Sequence, residues 1–132
     1  MNIELVHILP TNKTPEVLLD PKGSIKITGR AIDESRTKFS EQIMIWFDSY
    51  ILKPAETTEV TIALEYLNSY NSIIFATILR KLSEINKQSK KLVIKWYVED
   101  DDDDLLERGQ YISSTFNIPI EFVMTDHIKD RY

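Results

Sequence analysis

The sequence predicts an α/β protein whose mixed, mostly parallel central sheet carries an antiparallel hairpin at its N-terminal side. Short runs in which apolar and polar residues alternate are interleaved with longer segments whose apolar residues recur every three or four positions. Along the chain, these patterns give the order β-β-α-β-α-β-α-β. A length of 132 residues is usual for one domain, so we expect residues 1–132 to form a single domain.

The first two strands are predicted from the alternating runs PEVLLD, at positions 15–20, and SIKITGR, at positions 24–30. The residues Asp20-Pro21-Lys22-Gly23 join them. Proline presets φ at such a turn, and glycine accepts a positive φ. Two alternating runs joined in this way indicate an antiparallel hairpin.

Three further strands are predicted at positions 59–67, 91–98 and 118–124. The first of these, EVTIALEYL, is partly apolar on both faces, which favours a central strand covered on both sides. Parallel strands that alternate with helices are typical of βαβ units.

Three amphipathic helices are predicted at positions 37–53, 72–85 and 102–116. For the first helix, Asp33, Ser35 and Thr37 are alternative N-cap residues. In the third helix, four apolar residues are expected to point inward: Leu105, Leu106, Ile112 and Phe116.

The composition excludes several classes of protein. The net charge is −5 and the only basic cluster, Lys87 with Lys90 and Lys91, resembles a solvated turn, which argues against nucleic-acid binding. There is no cysteine, so disulfides and thiolate chemistry are excluded. We expect a cytoplasmic protein without membrane insertion, because the sequence has neither a secretory signal pattern nor an apolar run of about 20 residues.

No enzyme signature is present in the sequence. The three glycines form neither a dinucleotide-binding loop nor a P-loop, and no GxSxG motif occurs. His7 and His127 lack metal-ligand spacing, and we expect both to be surface residues. We therefore predict no catalytic residues, no metal site and no cofactor.

The acidic run Glu99–Asp104 has two interpretations. Aspartates at a helix start cap free N–H groups and complement the helix dipole, which is the interpretation we favour. A metal-dependent enzyme using Asp100–Asp104 is the alternative, although the spacing of a calcium-binding loop is missing. This acidic face could also recognise a basic partner.

A polar patch, Asn68-Ser69-Tyr70-Asn71-Ser72, lies between the strand at 59–67 and the following helix. One of these residues is expected to cap the helix, which leaves a surplus of hydroxyl groups. The patch lies at the C-terminal end of a strand, where α/β proteins usually bind ligands and partners. A phosphoryl group there would add about −1.5 to −2 charges beside a helix N-terminus.

Three segments together resemble the SiaC family of bacterial regulatory phosphoproteins, single STAS-like domains akin to anti-sigma-factor antagonists. These segments are TPEVLLDPKGSIKITGRAIDES, LEYLNSYNS and IKWYVEDDDDDLLERG. Around the central turn, the family pattern resembles L-E-Y-x-N-T-S-S followed by a helix. The resemblance covers nearly the whole chain, in the same order.

The resemblance implies a non-catalytic partner switch in signal transduction. A protein kinase would phosphorylate a hydroxyl in the turn, a metal-dependent serine/threonine phosphatase would remove the phosphate, and one partner could be a diguanylate cyclase. Ser69 matches the family's phosphorylated threonine, with Ser72 as the alternative. Asn68–Ile73 would form the partner-binding surface, in which Tyr70, Asn71 and Ile73 depart from the family pattern.

A small-ligand binding module, for example for a nucleotide, is the rival interpretation of the same strand–helix turn. The absence of glycine from the turn argues against close backbone contact with a phosphate.

Overall fold

The computed structural model describes residues 3–34 and 38–128. It contains six strands and three α-helices. The strands are β1 (Val6–Ile8), β2 (Glu16–Asp20), β3 (Ser24–Ala31), β4 (Thr57–Leu67), β5 (Lys91–Glu99) and β6 (Glu121–Thr125). The helices are α1 (Lys38–Tyr50), α2 (Ser69–Ser83) and α3 (Asp103–Phe116), with a 3₁₀ turn (Glu84–Gln88) after α2.

The six strands form one sheet in the order in which they occur along the chain. Strands β1, β2 and β3 are antiparallel neighbours, and β3, β4, β5 and β6 are parallel neighbours. The predicted α/β class, the mostly parallel sheet and the N-terminal hairpin are confirmed.

The hairpin turn forms as the sequence predicts. Gly23 donates its N–H to the Asp20 carbonyl over 2.9 Å, and it has a φ of 112°, which a residue with a side chain rarely adopts. A Cβ atom at Gly23 would also lie 2.2 Å from the Thr57 carbonyl oxygen, so this position requires glycine.

The N-terminal segment was not predicted to be a strand, although it pairs with β2 as β1. His7 is exposed in β1, and its Nε2 lies 2.7 Å from the Glu16 carboxylate. The Trp46 indole N–H donates to the Glu4 carbonyl over 2.9 Å, which ties the segment before β1 to α1. Three residues are too few to establish an alternating pattern, which explains why the sequence did not reveal this strand.

All three helices pack on one face of the sheet, the face that carries Trp96. The Tyr50 hydroxyl of α1 lies 2.8 Å from Thr58 Oγ1, and the Phe75 ring of α2 lies 6.4 Å from the Trp96 ring. Gly109 of α3 lies directly over the Trp96 and Phe122 side chains. The core therefore fills the space between this face and the helices.

The sequence predicts that β4 is covered on both sides, whereas the helix contacts described above all lie on one face of it. In the part of the chain that the structure describes, no helix lies over the second face, which carries Thr61, Ala63 and Glu65. Ala63 is nevertheless buried, since in the sheet register it lies between the larger side chains of Thr28 and Tyr97. A small side chain between two larger ones needs no helix to shield it.

Of the proposed caps for the first helix, Ser35 and Thr37 lie outside the described residues. Asp33 lies five positions before Lys38, the first helical residue described, and its carbonyl takes part in the contacts at the start of α2.

Candidate functional site

The polar patch forms the junction between β4 and α2. The strand ends at Leu67, Asn68 has extended backbone angles, and the helix begins at Ser69, three residues before the predicted start. Asn68 is the N-cap, because its side-chain oxygen accepts the Asn71 backbone N–H over 2.9 Å.

Two asparagines fix this junction to the chain that leaves β3. Asn68 Nδ2 donates to the Ile32 carbonyl, and Asn71 Nδ2 donates to the Asp33 carbonyl, each over 2.9 Å. The two side chains also bond each other, with Asn71 Nδ2 2.8 Å from Asn68 Oδ1. Asn71 is only 4% exposed, so its side chain serves the internal structure of the junction.

The two serines of the junction have different environments. Ser72 is partly buried, donates its hydroxyl to the Asn68 carbonyl over 2.9 Å, and accepts a bond from Arg108 Nη1 over 3.2 Å. Ser69 is exposed, and its hydroxyl bonds no other described residue. Of these two serines, Ser69 therefore presents the hydroxyl that can be modified without breaking a hydrogen bond between described residues.

The other two residues of the predicted surface are accessible. Ile73 is 69% exposed, which is high for a large apolar side chain. Tyr70 is partly exposed. A free hydroxyl, an exposed apolar side chain and an aromatic ring thus lie within the first two turns of α2.

A groove of about 630 Å³ runs between α2 and α3 and begins at this junction. Ser69, Ser72 and Ile73 line it from the first two turns of α2, and Arg108 and Tyr111 line it from α3. Tyr111 is 67% exposed, so the groove has an apolar and aromatic lining that is open to solvent.

At the far end of the groove, the position of Phe116 differs from the prediction. Phe116 was expected to point into the core, but it is 37% exposed and lines the groove, and the Arg80 guanidinium lies 4.9 Å from its ring centre. Leu105 and Ile112 are buried as predicted, and Leu106 is partly buried. The apolar stripe of α3 therefore continues past the core and into the groove.

The acidic run caps α3, as the favoured interpretation predicted. Asp102 is the N-cap, and its carboxylate accepts the Leu105 N–H over 3.1 Å. Asp103 and Asp104 lie in the first turn, where negative charge complements the helix dipole. Within residues 3–34 and 38–128, no three acidic or histidine side chains are grouped so that they could hold a metal ion.

One carboxyl group in this run has a shifted pKa. A side-chain hydrogen bond with Asp126 raises the pKa of Asp100, and desolvation and the neighbouring negative charges of Asp126 and Asp101 raise it further. The raised pKa of Asp100 thus comes first from the hydrogen bond that it shares with Asp126 and only then from repulsion between the carboxylates.

The sequence did not reveal the α3 side of the site. Arg108, Tyr111 and Phe116 lie more than 30 positions after Ser69, and only the packing of α3 beside α2 brings them to the groove. The signal that the sequence offered for this side of the site was the pair of aromatic residues in α3, Tyr111 and Phe116. His127 is exposed, as predicted, and does not line the groove.

Comparison with known proteins gives the same fold. The chain superimposes on apo-SiaC from Pseudomonas aeruginosa with a TM-score of 0.78 and 20% identity, covering 91% of this chain and 98% of that one. The crystal structure of the diguanylate cyclase SiaD in complex with its activator SiaC, from the same organism, contains a similar chain. It matches with a TM-score of 0.81 and 19% identity, over 91% and 99% of the two chains.

Two further comparisons concern the sequence, and one observation concerns the length and polarity of the helices. No curated protein sequence matches the chain. No helix in the described ranges is long and apolar enough to cross a membrane. The family model described as "SiaC family regulatory phosphoprotein" matches residues 8–125. The chain therefore belongs to the SiaC family of regulatory phosphoproteins.

Proposed function

We propose that this protein is a non-catalytic, cytoplasmic partner switch that is controlled by phosphorylation of Ser69. A protein kinase adds the phosphate, and a metal-dependent serine/threonine phosphatase removes it. The unmodified protein binds its target, a diguanylate cyclase, through the start of α2 and the adjoining groove. Membership of the family and the complex of the similar SiaC chain with a diguanylate cyclase support this assignment.

The observation that carries the proposal is the environment of Ser69. Its side chain is exposed on the first residue of α2, lines the groove and has no hydrogen-bond partner among the described residues. A kinase can reach such a hydroxyl without unfolding the helix. Ser72, by contrast, would have to give up its bonds to Asn68 and Arg108.

The chemistry needs no group from this chain other than the hydroxyl. Ser69 Oγ forms a bond to the γ-phosphorus of a nucleoside triphosphate, the bond to the diphosphate breaks, and the hydroxyl proton leaves. The phosphatase transfers the phosphoryl group to water. The net result at the groove is about −1.5 to −2 added charges and additional bulk.

The added charge explains how the switch acts. A partner that docks on Ile73 and the groove covers Ser69 and removes water from it. A phosphate that is buried there without a cation from the partner is unfavourable, because an unpaired charge loses its hydration. The phosphorylated protein therefore releases the cyclase.

Phosphopeptide mapping tests the assignment of the modified residue. The protein is isolated from its native host, and cleavage after Glu65 and Glu84 releases the peptide 66–84, which contains both serines. We expect phosphate on Ser69 in the wild type and in Ser72→Ala, and none in Ser69→Ala. Phosphate confined to Ser72, or an unmodified peptide under all growth conditions, would contradict the proposal.

The size of the groove gives the nucleotide-binding alternative one favourable observation, since small-molecule sites typically span about 300–1,000 Å³. A thermal-shift screen of the unmodified protein with nucleotides separates the two functions. A specific rise in melting temperature without any partner protein would favour ligand binding, and the partner-switch proposal expects none.

A further inference from the structure

The Arg108 side chain bridges α3 and α2 at the mouth of the groove. Its Nη1 donates to Ser72 Oγ over 3.2 Å, and this hydrogen bond joins α3 to α2. Within the part of the chain that the structure describes, Arg108 forms no ion pair within 4.0 Å. Asp104, one turn earlier on α3, and the adjacent Glu107 line the same groove without pairing with it.

Ser69 lies within reach of this guanidinium. Ser69 and Ser72 are three residues apart in α2, so their Cβ atoms are about 5–6 Å apart on neighbouring turns of one helix face. Both serines and Arg108 line the groove, and Arg108 bonds the nearer of the two, Ser72. A phosphate adds three acceptor oxygens beyond Ser69 Oγ, one helical turn from the hydroxyl that Arg108 bonds.

The hydrogen bond that Arg108 makes in the unmodified protein is weak compared with a bond to phosphate. A guanidinium has five N–H donors in a planar fork, and a single neutral hydroxyl uses one of them. Bonds to an anionic oxygen are shorter and about twice as strong as those between neutral groups, and a phosphate can accept two of them in parallel.

We infer that Arg108 receives the phosphate when Ser69 is modified. The guanidinium leaves Ser72 and pairs with the phosphate, so that a salt bridge joins α2 to α3 across the mouth of the groove. This inference deepens the proposed function, on which its biological role rests. The phosphate then excludes the partner in two ways, through its own charge and by closing the entrance to the groove.

The other charged groups around the groove define the controls. Asp104 and Glu107 of α3 oppose the phosphate, and Arg80 of α2 is the second cation that lines the groove. Arg80 lies eleven positions after Ser69, about 16 Å along the helix, and it packs over Phe116. Arg80→Gln therefore removes one positive charge from the same groove without touching the end where Ser69 lies.

The test uses the full chain with phosphoserine inserted at position 69 during translation, so that no kinase is needed. The second pKa of the phosphate, about 6 in a free phosphoserine, is measured by ³¹P NMR titration. We expect Arg108→Gln to raise this pKa by about one unit relative to the wild type, because the guanidinium favours the dianion. Arg80→Gln should leave it unchanged.

Equal phosphate pKa values in the wild type and Arg108→Gln would overturn the inference. A second measurement needs no variant, since the side-chain N–H signals of Arg108 can be followed in the wild-type protein. They should shift and exchange more slowly with water when Ser69 carries phosphate, and identical signals in both forms would also overturn it.

These outcomes are separate from the test of the proposed function. A kinase that modifies only Ser72 would refute the assignment of Ser69, whereas the titration would still report whether Arg108 pairs with a phosphate at position 69. Conversely, a titration in which Arg108→Gln does not change the phosphate pKa would refute only the salt bridge. It would not refute the phosphorylation of Ser69.

Discussion

Ser69 and Ser72 show that residue type alone does not identify the modification site in this protein. Both are serines in the same polar patch, and the sequence left both open as modification sites. The three-dimensional environment separates them, because Ser72 bonds Asn68 and Arg108 whereas Ser69 is exposed and bonds no described residue. Arg108 comes from another helix, so this difference could not be predicted from the local sequence.

The roles of the two asparagines were also only partly predictable. A cap somewhere in the patch was expected, and Asn68 provides it. The bond from Asn71 to Asp33 depends on where the chain runs after β3, which no local pattern specifies.

The Asn71 side chain is predicted to matter for stability. Asn71→Ala removes the bonds to the Asp33 carbonyl and to Asn68 Oδ1 from a buried position, so we expect a loss of about 1–3 kcal/mol in the free energy of unfolding. Asn86→Ala, at an exposed position of the 3₁₀ turn, should change it by less than about 0.5 kcal/mol. Urea denaturation of both variants measures this, and equal midpoints would refute the role of Asn71.

At the level of elements, hydrophobic periodicity predicted every strand and helix that is long enough to repeat its pattern. It missed β1, which has three residues, and it began α2 at Ser72 because the run of polar residues hides the first turn. Helical spacing led to the prediction that the Phe116 side chain points into the core. It was wrong because that stretch of α3 faces Arg80 and the groove.

The capping role of Asp102 gives an element-scale prediction. Asp102→Ala removes the acceptor of the Leu105 N–H and should reduce the free energy of unfolding by about 1 kcal/mol. Asp101→Ala, at the exposed position just before the cap, is the matched control and should have little effect. Similar losses for both variants, measured by thermal or urea denaturation, would mean that the run acts through general charge and not through the cap.

Gly109 gives a second prediction at this scale. Alanine is normally favoured over glycine in a helix, by about 1 kcal/mol. At position 109, however, its Cβ atom would lie 2.5 Å from a ring carbon of Phe122 and 3.3 Å from Trp96. We expect Gly109→Ala to destabilise the protein by about 1–3 kcal/mol, because α3 must move away from the sheet.

The control for Gly109→Ala is Ser114→Ala, an exposed position of the same helix at which alanine should be neutral or slightly stabilising. Calorimetric melting of the two variants makes the comparison. A Gly109→Ala variant that melts at or above the wild-type temperature would contradict the close packing of α3 on Phe122.

For the molecule as a whole, the topology decides where the site lies. The strands β3 to β6 are parallel and follow one another in sequence order, and successive crossovers of the same hand place α1, α2 and α3 side by side on one face. The C-terminal end of β4 therefore opens beside the gap between α2 and α3. The sequence predicted the sheet and this end of the strand, but the groove is a property of how two helices pack.

For the whole molecule, the proposed function places a small covalent change on one continuous surface. Ser69, the exposed Ile73 and the open groove are contiguous. A partner that covers this surface must cover Ser69, and the proposed switch therefore requires that the state of Ser69 controls whether the partner binds.

The affinity of the protein for the diguanylate cyclase of its own host tests this claim most directly. Calorimetric titration compares the unmodified protein with protein carrying phosphoserine at position 69, and with a control carrying it at Ser89, which is exposed and outside the groove. We predict that phosphate on Ser69 weakens binding at least about tenfold, or about 1.4 kcal/mol, and that phosphate on Ser89 does not. Equal affinities of the unmodified and Ser69-phosphorylated forms would contradict the partner switch.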